Sequence, residues 1–288
     1  MTIPFPVPTE LFPVEHRFLD LDGARVHYVD EGAGETILLL HGNPTWSFLY
    51  RKIIAGLADE FRCVAPDYPG YGMSTAPPGY RYTPREHSTV VERFVDHLGL
   101  TDLTIMVQDW GGPIGLGLAG RRPELVKRLI IGNTFAWPLN RELRIRLFSA
   151  VMGGPIGRTL TRSVNLVPRV FFARGFAQPV PAAVRDMYLA PWQDPSRRAV
   201  AAIGPRQLIA ASDYLRQVNA DLPKLADRPA LIVWGAKDFA FHTAARERFE
   251  AAFPHHHTIC YDNASHFLQE DVGDRIAEAF KTFIRSGG

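Results

Sequence analysis

The sequence lacks the marks of most specialised protein classes. It carries two cysteines, Cys63 and Cys260, in 288 residues. That is too few for a disulfide scaffold, and both lie in apolar runs, so each is expected as a reduced, buried small hydrophobe. No apolar run approaches the roughly 20 residues needed to cross a bilayer. The amino-terminal arm has four prolines in its first thirteen residues and no charged-then-apolar order, so it is not expected to be a signal peptide. Neither sign of charge dominates. The 32 basic and 30 acidic residues leave a net charge of +2, so no global field points to nucleic acid or an anionic membrane. There is no GxGxxG, P-loop, HExxH or CxxC pattern, so no cofactor and no metal are expected. The run His255-His256-His257 reads as solvated surface, since adjacent residues on a strand point to opposite faces. These absences predict a soluble cytoplasmic protein acting on a small molecule, with no nucleic-acid or membrane partner.

Hydrophobic residues at 46% and charged residues at 22% are enough for a sizeable core, and a chain of this length buries about three quarters of its unfolded surface. Segments 16–21 and 25–29 alternate around Asp22-Gly23 and predict a hairpin. The run TILLL (36–40) is continuous and apolar, as in a strand covered on both faces. Strand and helix then alternate. Helices are predicted over 46–57, 84–98 (Thr83 as N-cap), 111–120, 243–252 and 273–284. Strands are predicted over 61–66, 103–107, 126–132, 230–234 and 257–261. From about 138 to 212 the rhythm breaks into helix-like pieces separated by glycines and prolines. The pattern predicts an α/β fold: a mostly parallel eight-stranded sheet with helices on both faces and a helical cap inserted after strand 6. The core is then 1–137 and 213–288, and the cap 138–212. Ligands in such sheets bind at the carboxyl ends of the strands.

Three strand ends carry reactive residues. In VQDWGGP (107–113) a strand turns directly into a helix, and small residues after Asp109 let its side chain stand exposed as in a nucleophile elbow. Serine is usual there. On this segment alone, an aspartate capping the following helix is an equal reading. After the third strand, His41-Gly42-Asn43-Pro44 fits a loop that offers a backbone N–H to an oxyanion. After the eighth comes Asn263-Ala264-Ser265-His266, and after the seventh Trp234-Gly235-Ala236-Lys237-Asp238. Asp109, Asp238 and His266 thus follow the chain order nucleophile, acid, base, each at a strand end. The segment Gly72-Met73-Ser74 superficially resembles a serine elbow, but no helix begins there.

A carboxylate nucleophile restricts the reaction. Attack on an sp3 carbon leaves an alkyl ester that water can cleave, whereas a serine would leave an inert ether. Asp109 near its reference pKa of about 3.9 is ionised at neutral pH without a base. His266 is then free to activate water, with Asp238 fixing its tautomer and the backbone N–H groups of Asn43 and Trp110 holding the oxyanion.

HGNPTWSFLYRK (41–52), VQDWGGP (107–113), YLAPW (188–192) and NASHFLQED (263–271), in that order, resemble the haloalkane dehalogenases of the α/β-hydrolase superfamily over nearly the whole chain. The resemblance implies an apolar pocket between sheet and cap, a halogenated substrate, water as co-substrate and a departing halide. It also implies a halide clamp, here the side-chain amide of Asn43 and the indole N–H of Trp110. The family's alternative acid position matches Asn133, which has no carboxylate. That leaves Asp238, as in the subfamily with an Asp acid after strand 7 and an Asn–Trp clamp. The rival is an epoxide hydrolase, which shares the Asp–His pair and needs two cap tyrosines; Tyr188 and Tyr214 are the candidates. Fluoroacetate-type dehalogenases place an arginine where this chain has Trp110. A non-catalytic receptor or a luciferase-like protein on the same scaffold would not need the complete triad.

Overall fold

Eight strands form one sheet in the order β1-β2-β4-β3-β5-β6-β7-β8 in the computed structural model, which describes residues 3–288. Residues 1–2 of the proline-rich arm lie outside the described residues. The strands are β1 (Arg17–Leu21), β2 (Ala24–Glu31), β3 (Thr36–Leu40), β4 (Arg62–Pro66), β5 (Leu103–Asp109), β6 (Val126–Thr134), β7 (Ala230–Gly235) and β8 (His256–Tyr261). The β1–β2 hairpin joins β4 antiparallel, and every pairing from β4 to β8 is parallel. β5 and β7 are buried at every position, as continuous apolar strands between two helical layers must be.

The helices are α1 (Arg51–Leu57), α2 (Pro84–His97), α3 (Gly111–Arg121), α4 (Leu143–Met152), α5 (Pro155–Val164), α6 (Leu166–Arg174), α7 (Ala182–Leu189), α8 (Arg198–Ala201), α9 (Ile203–Ala210), α10 (Ser212–Asp221), α11 (Thr243–Ala252) and α12 (Leu268–Arg285). α2 starts as its sequence dictates. Thr83 and Glu86 cap each other reciprocally and Pro84 occupies the first turn, an arrangement worth about 1 kcal/mol. Helices α4–α9 fill the long crossover between β6 and β7 and cover the carboxyl ends of the strands. Trp192 donates its indole N–H to Pro44 O at 3.0 Å, and Trp46 reciprocates on Met187 O at 3.2 Å. A buried ion pair ties the same layers. Arg51 on α1 grips Glu270 on α12 through two bonds of 2.6 and 2.7 Å, and Tyr188 on α7 donates to the same carboxylate at 2.7 Å. No helix among the described residues is long and apolar enough to cross a membrane.

Three local expectations need correction. The helix expected over 46–57 is a short tight turn, Ser47–Tyr50, followed by α1. Trp46 is held in extended backbone, with Phe5 and Phe12 edge-on to its indole. The last helix begins at Leu268, five residues before Gly273. A non-helical Val272 kinks it, which breaks the 3.6-residue period that sequence pattern relies on. Cys63 is buried, but Cys260 is exposed. It sits on β8, an edge strand of the sheet, where the Arg246 guanidinium lies 2.7 Å from its sulfur.

Candidate active site

Asp109 is the last residue of β5 and has φ of +48°. Such a conformation costs a non-glycine residue about 1–3 kcal/mol and persists only where its surroundings over-determine it. Here Thr134 Oγ1 donates to Asp109 O at 2.5 Å. Two residues on, a β-carbon at Gly111 would overlap the Leu40 carbonyl, so only glycine lets α3 start this close to β3. The result is a sharp strand-to-helix turn with the carboxylate at its apex.

Gly42 and Asn43 close over that carboxylate from the loop after β3. A β-carbon at Gly42 would lie 2.5 Å from Asp109 Oδ1, so the approach again requires glycine. The Asn43 backbone N–H donates to Oδ1 at 2.7 Å, and the nearby Trp110 backbone N–H favours the ionised form of this carboxylate. The Asn43 side chain is oriented at both ends. Tyr71 Oη donates to its Oδ1 at 3.0 Å, and its Nδ2 donates to Ala201 O in the crossover at 3.2 Å. Trp110 is nearly buried, edge-on to Phe135 at 5.0 Å.

His266 lies on the loop after β8, wholly buried. Its Nδ1 is 3.2 Å from each Asp238 oxygen, and its Nε2 is 3.7 Å from Asp109 Oδ2. The three residues expected at separate strand ends therefore converge. Asp238 is itself held by the Ala240 N–H at 2.7 Å and by Asn133 Nδ2 at 2.8 Å. Asn133, at φ +37°, also donates to Ser265 O at 3.0 Å and accepts from the Gly235 N–H at 2.7 Å. Sequence reasoning noted Asn133 only for its missing carboxylate. Its amide in fact binds the loops carrying Asp238 and His266, and an Asn at the end of a buried strand was the available signal. Gln108 was also missed; its Nε2 donates to His266 O at 3.0 Å.

The charges of this cluster are coupled. Burial lifts the Asp109 carboxyl above the ordinary range, against the opposing pull of His266 and the two backbone N–H groups. The expectation of an unperturbed Asp109 therefore does not hold, because a nearly buried carboxylate is poorly hydrated. Burial also works against the His266 imidazolium. The Asp238 charge, its hydrogen bond and the Asp109 charge outweigh it and hold His266 above its usual value.

Asn43, Asp109 and Trp110 line a cavity of about 130 Å³ between sheet and crossover. Its other walls are largely apolar, including Ile145 and Phe148 of α4, Phe171 of α6 and Phe239. Four phenyl rings surround the His266 imidazole, those of Phe171, Phe239, Phe241 and Phe267, at centroid distances of 4.9 to 5.8 Å. Neither tyrosine considered for ring-opening lines the cavity. Tyr188 is bound to Glu270, and Tyr214 donates to Pro113 O at 2.8 Å.

Residues 35–271 match the model of the alpha/beta hydrolase fold family. The chain is 43% identical over 282 residues to haloalkane dehalogenase 2 of Mycobacterium tuberculosis strain H37Rv, covering 97% of this chain and 98% of that protein. It is 35% identical over 280 residues to a cis-3-alkyl-4-alkyloxetan-2-one decarboxylase of Xanthomonas campestris, covering 91% and 93%. Among solved structures it is similar to a haloalkane dehalogenase of Bradyrhizobium elkani, at 25% identity and a TM-score of 0.84, covering 95% of this chain and 99% of that one.

Proposed function

This chain belongs to the haloalkane dehalogenases of the alpha/beta-hydrolase family, and we propose that it hydrolyses small haloalkanes to alcohol and halide through an ester on Asp109. The observation that carries this reading is a carboxylate on the wall of a largely apolar cavity, held by the Asn43 backbone N–H and lying 3.7 Å from the His266 imidazole behind it. On the same reading, residues 138–212 form the cap and 1–137 with 213–288 the core.

In the first step Asp109 Oδ2, the oxygen facing His266, attacks the halogen-bearing carbon. The carbon–halogen bond breaks, and its electron pair leaves with the halide. Nδ2 of Asn43 and the Trp110 indole N–H receive that anion. Both are neutral donors, which suits a weakly hydrated ion in a dry site. The attack needs an oriented, poorly hydrated nucleophile, and the cavity supplies both conditions.

The ester changes the electrostatics of the second step. Alkylation neutralises Asp109, so one of the two anions that raise the proton affinity of His266 is gone and that affinity falls. A neutral His266 then takes a proton from water as that water attacks the ester carbon. Oδ1, already bonded to the Asn43 backbone N–H, becomes the oxyanion, with the Trp110 backbone N–H as its second donor. Each such donor is worth about 3–4 kcal/mol. The tetrahedral intermediate collapses to the carboxylic acid as the proton passes from His266 to the departing alkoxide, and Asp109 then gives up the remaining proton of the water to solvent and is a carboxylate again. Asp238 holds the imidazole in the tautomer this requires.

The cavity is close to the roughly 150 Å³ of an apolar site that takes up benzene, so the substrates are short-chain haloalkanes. The test is acid and halide release from 1-bromobutane and 1,2-dibromoethane, with Asp109→Ala as control. Turnover of styrene oxide or of a cis-3-alkyl-4-alkyloxetan-2-one with no halide activity would replace this reading by the epoxide or the decarboxylase one. Binding without turnover of any of these would make the chain a receptor.

A further inference from the structure

Among the described residues seven large hydrophobic side chains are conspicuously exposed, and six of them lie on two consecutive helices. Leu143, Leu147 and Val151 of α4 are 58 to 66% exposed, and Ile156, Leu160 and Val164 of α5 are 42 to 77% exposed. In each helix the three recur every fourth residue, so they form one stripe. The opposite face of α4 is spoken for, since Ile145 is buried and lines the catalytic cavity with its neighbour Phe148. The Gly153-Gly154 turn joins the two helices so closely that a β-carbon at Gly157 would meet the Met152 carbonyl at 2.5 Å. Each helix satisfies its own interior backbone groups, so such a face can enter an apolar phase without exposing unpaired N–H or C=O groups.

Within the two helices the charges are of one sign, all of them arginines. Between Glu142 and Asp186 the chain has seven arginines and no carboxylate. Among the described residues the only ion pair of this stretch joins Arg144 to Glu142. Arg146 and Arg162 are exposed. The nearly neutral total of the chain hides this local excess. We propose that the α4–α5 face docks on an anionic lipid bilayer, its aliphatic stripes sunk to acyl-chain level and its arginines against lipid phosphates.

Three observations favour lipid over a protein partner. The stripe holds only leucine, isoleucine and valine, with none of the tryptophan and tyrosine that dominate protein–protein hot spots. Apposition of two copies about a twofold axis would set this arginine-rich stretch against itself, with no carboxylate within either helix to compensate. An amphipathic helix with a strong apolar face and arginine as its only charged residue is the pattern that lies in a membrane interface. Docking in this way brings the helix that walls the catalytic cavity to the phase where apolar molecules concentrate. That last consequence rests on the function proposed above; the docking itself does not.

The test is sedimentation of the full-length protein with vesicles of equal parts phosphatidylglycerol and phosphatidylcholine in low salt. The wild type is expected to sediment with these, and much less with phosphatidylcholine alone or near 1 M salt, where the screening length is about 3 Å. Leu147→Glu with Leu160→Glu should lower the bound fraction at least about tenfold. Arg146→Glu with Arg162→Glu should remove the preference for the anionic vesicles. All four positions are exposed, and halide release from a short soluble haloalkane should be unchanged in both variants. Failure of the wild type to bind, equal binding to neutral vesicles, or undiminished binding of the leucine variant would overturn the proposal. So would a wild-type oligomer in ultracentrifugation that ignores vesicles and dissociates in the leucine variant, because the face would then join copies of this chain. Vesicle binding is read without turnover, so inactivity on haloalkanes would count against the catalytic reading alone.

Discussion

Replacing His266 by Phe separates the two proposed steps. The imidazole already lies among four phenyl rings, so a phenyl group at this position enters a compatible environment. The carboxylate of Asp238 loses its imidazole but keeps the Ala240 N–H and the Asn133 amide, which limits the cost of leaving it buried. Alkylation needs no base and should continue. Ester hydrolysis loses its general base, worth about 10²- to 10⁴-fold, or roughly 3–5 kcal/mol of barrier. The variant should therefore release a single burst of about one bromide per active site from 1-bromobutane. Intact-protein and peptide mass spectrometry should then place one butyl group on the peptide containing Asp109. The His266 charge also opposes the burial that lifts the Asp109 carboxyl. Its loss should move the acid limb of the burst rate to higher pH. Many bromides per site, or an adduct on another peptide, would refute the mechanism.

Other substitutions test other parts of the site. Tyr71→Phe removes the hydroxyl that fixes the Asn43 amide and should weaken halide binding about fivefold, the equivalent of one modest hydrogen bond; tryptophan fluorescence quenching by bromide reads this directly. Asp109→Asn removes a carboxylate whose proton affinity is raised by burial. A folded-state value above the unfolded 3.8 means that the ionised form is penalised in the native protein. The variant should therefore melt higher than wild type at pH 7, and the gain should vanish below about pH 3.8, where the acid is protonated in both states. Glu270→Gln breaks the buried pair with Arg51 and should cost about 3–5 kcal/mol in denaturant unfolding, with the halide-release pH profile unchanged in shape.

The parallel core was legible because its strands are short apolar runs that no exposed element would carry. TILLL and ALIVW need only their neighbours' helices to become β3 and β7. Asp109 was legible because its turn demands small residues in sequence, and Asp238 and His266 because chain order maps onto strand ends. The orienting partners were harder to see. Asn133, Tyr71 and Gln108 act through contacts between strands or loops distant in sequence, and single polar residues give no periodic signal. The kink at Val272 and the tight turn after Trp46 were lost for a related reason, since tertiary contacts override local pattern there. Cys260 shows the same limit from the other side. An apolar run names a strand but not its place in the sheet, and β8 is an edge.

The bond from Asn43 Nδ2 to Ala201 O occupies one of the two N–H groups of that amide. With the Tyr71 hydroxyl on its oxygen, the amide plane is pinned from both sides while one hydrogen stays free for a second acceptor. On the proposed mechanism, the leaving group then meets a donor whose direction is already set, and little rearrangement accompanies its arrival. Departure of the ion leaves the Ala201 bond standing, so the amide keeps its aim from one cycle to the next.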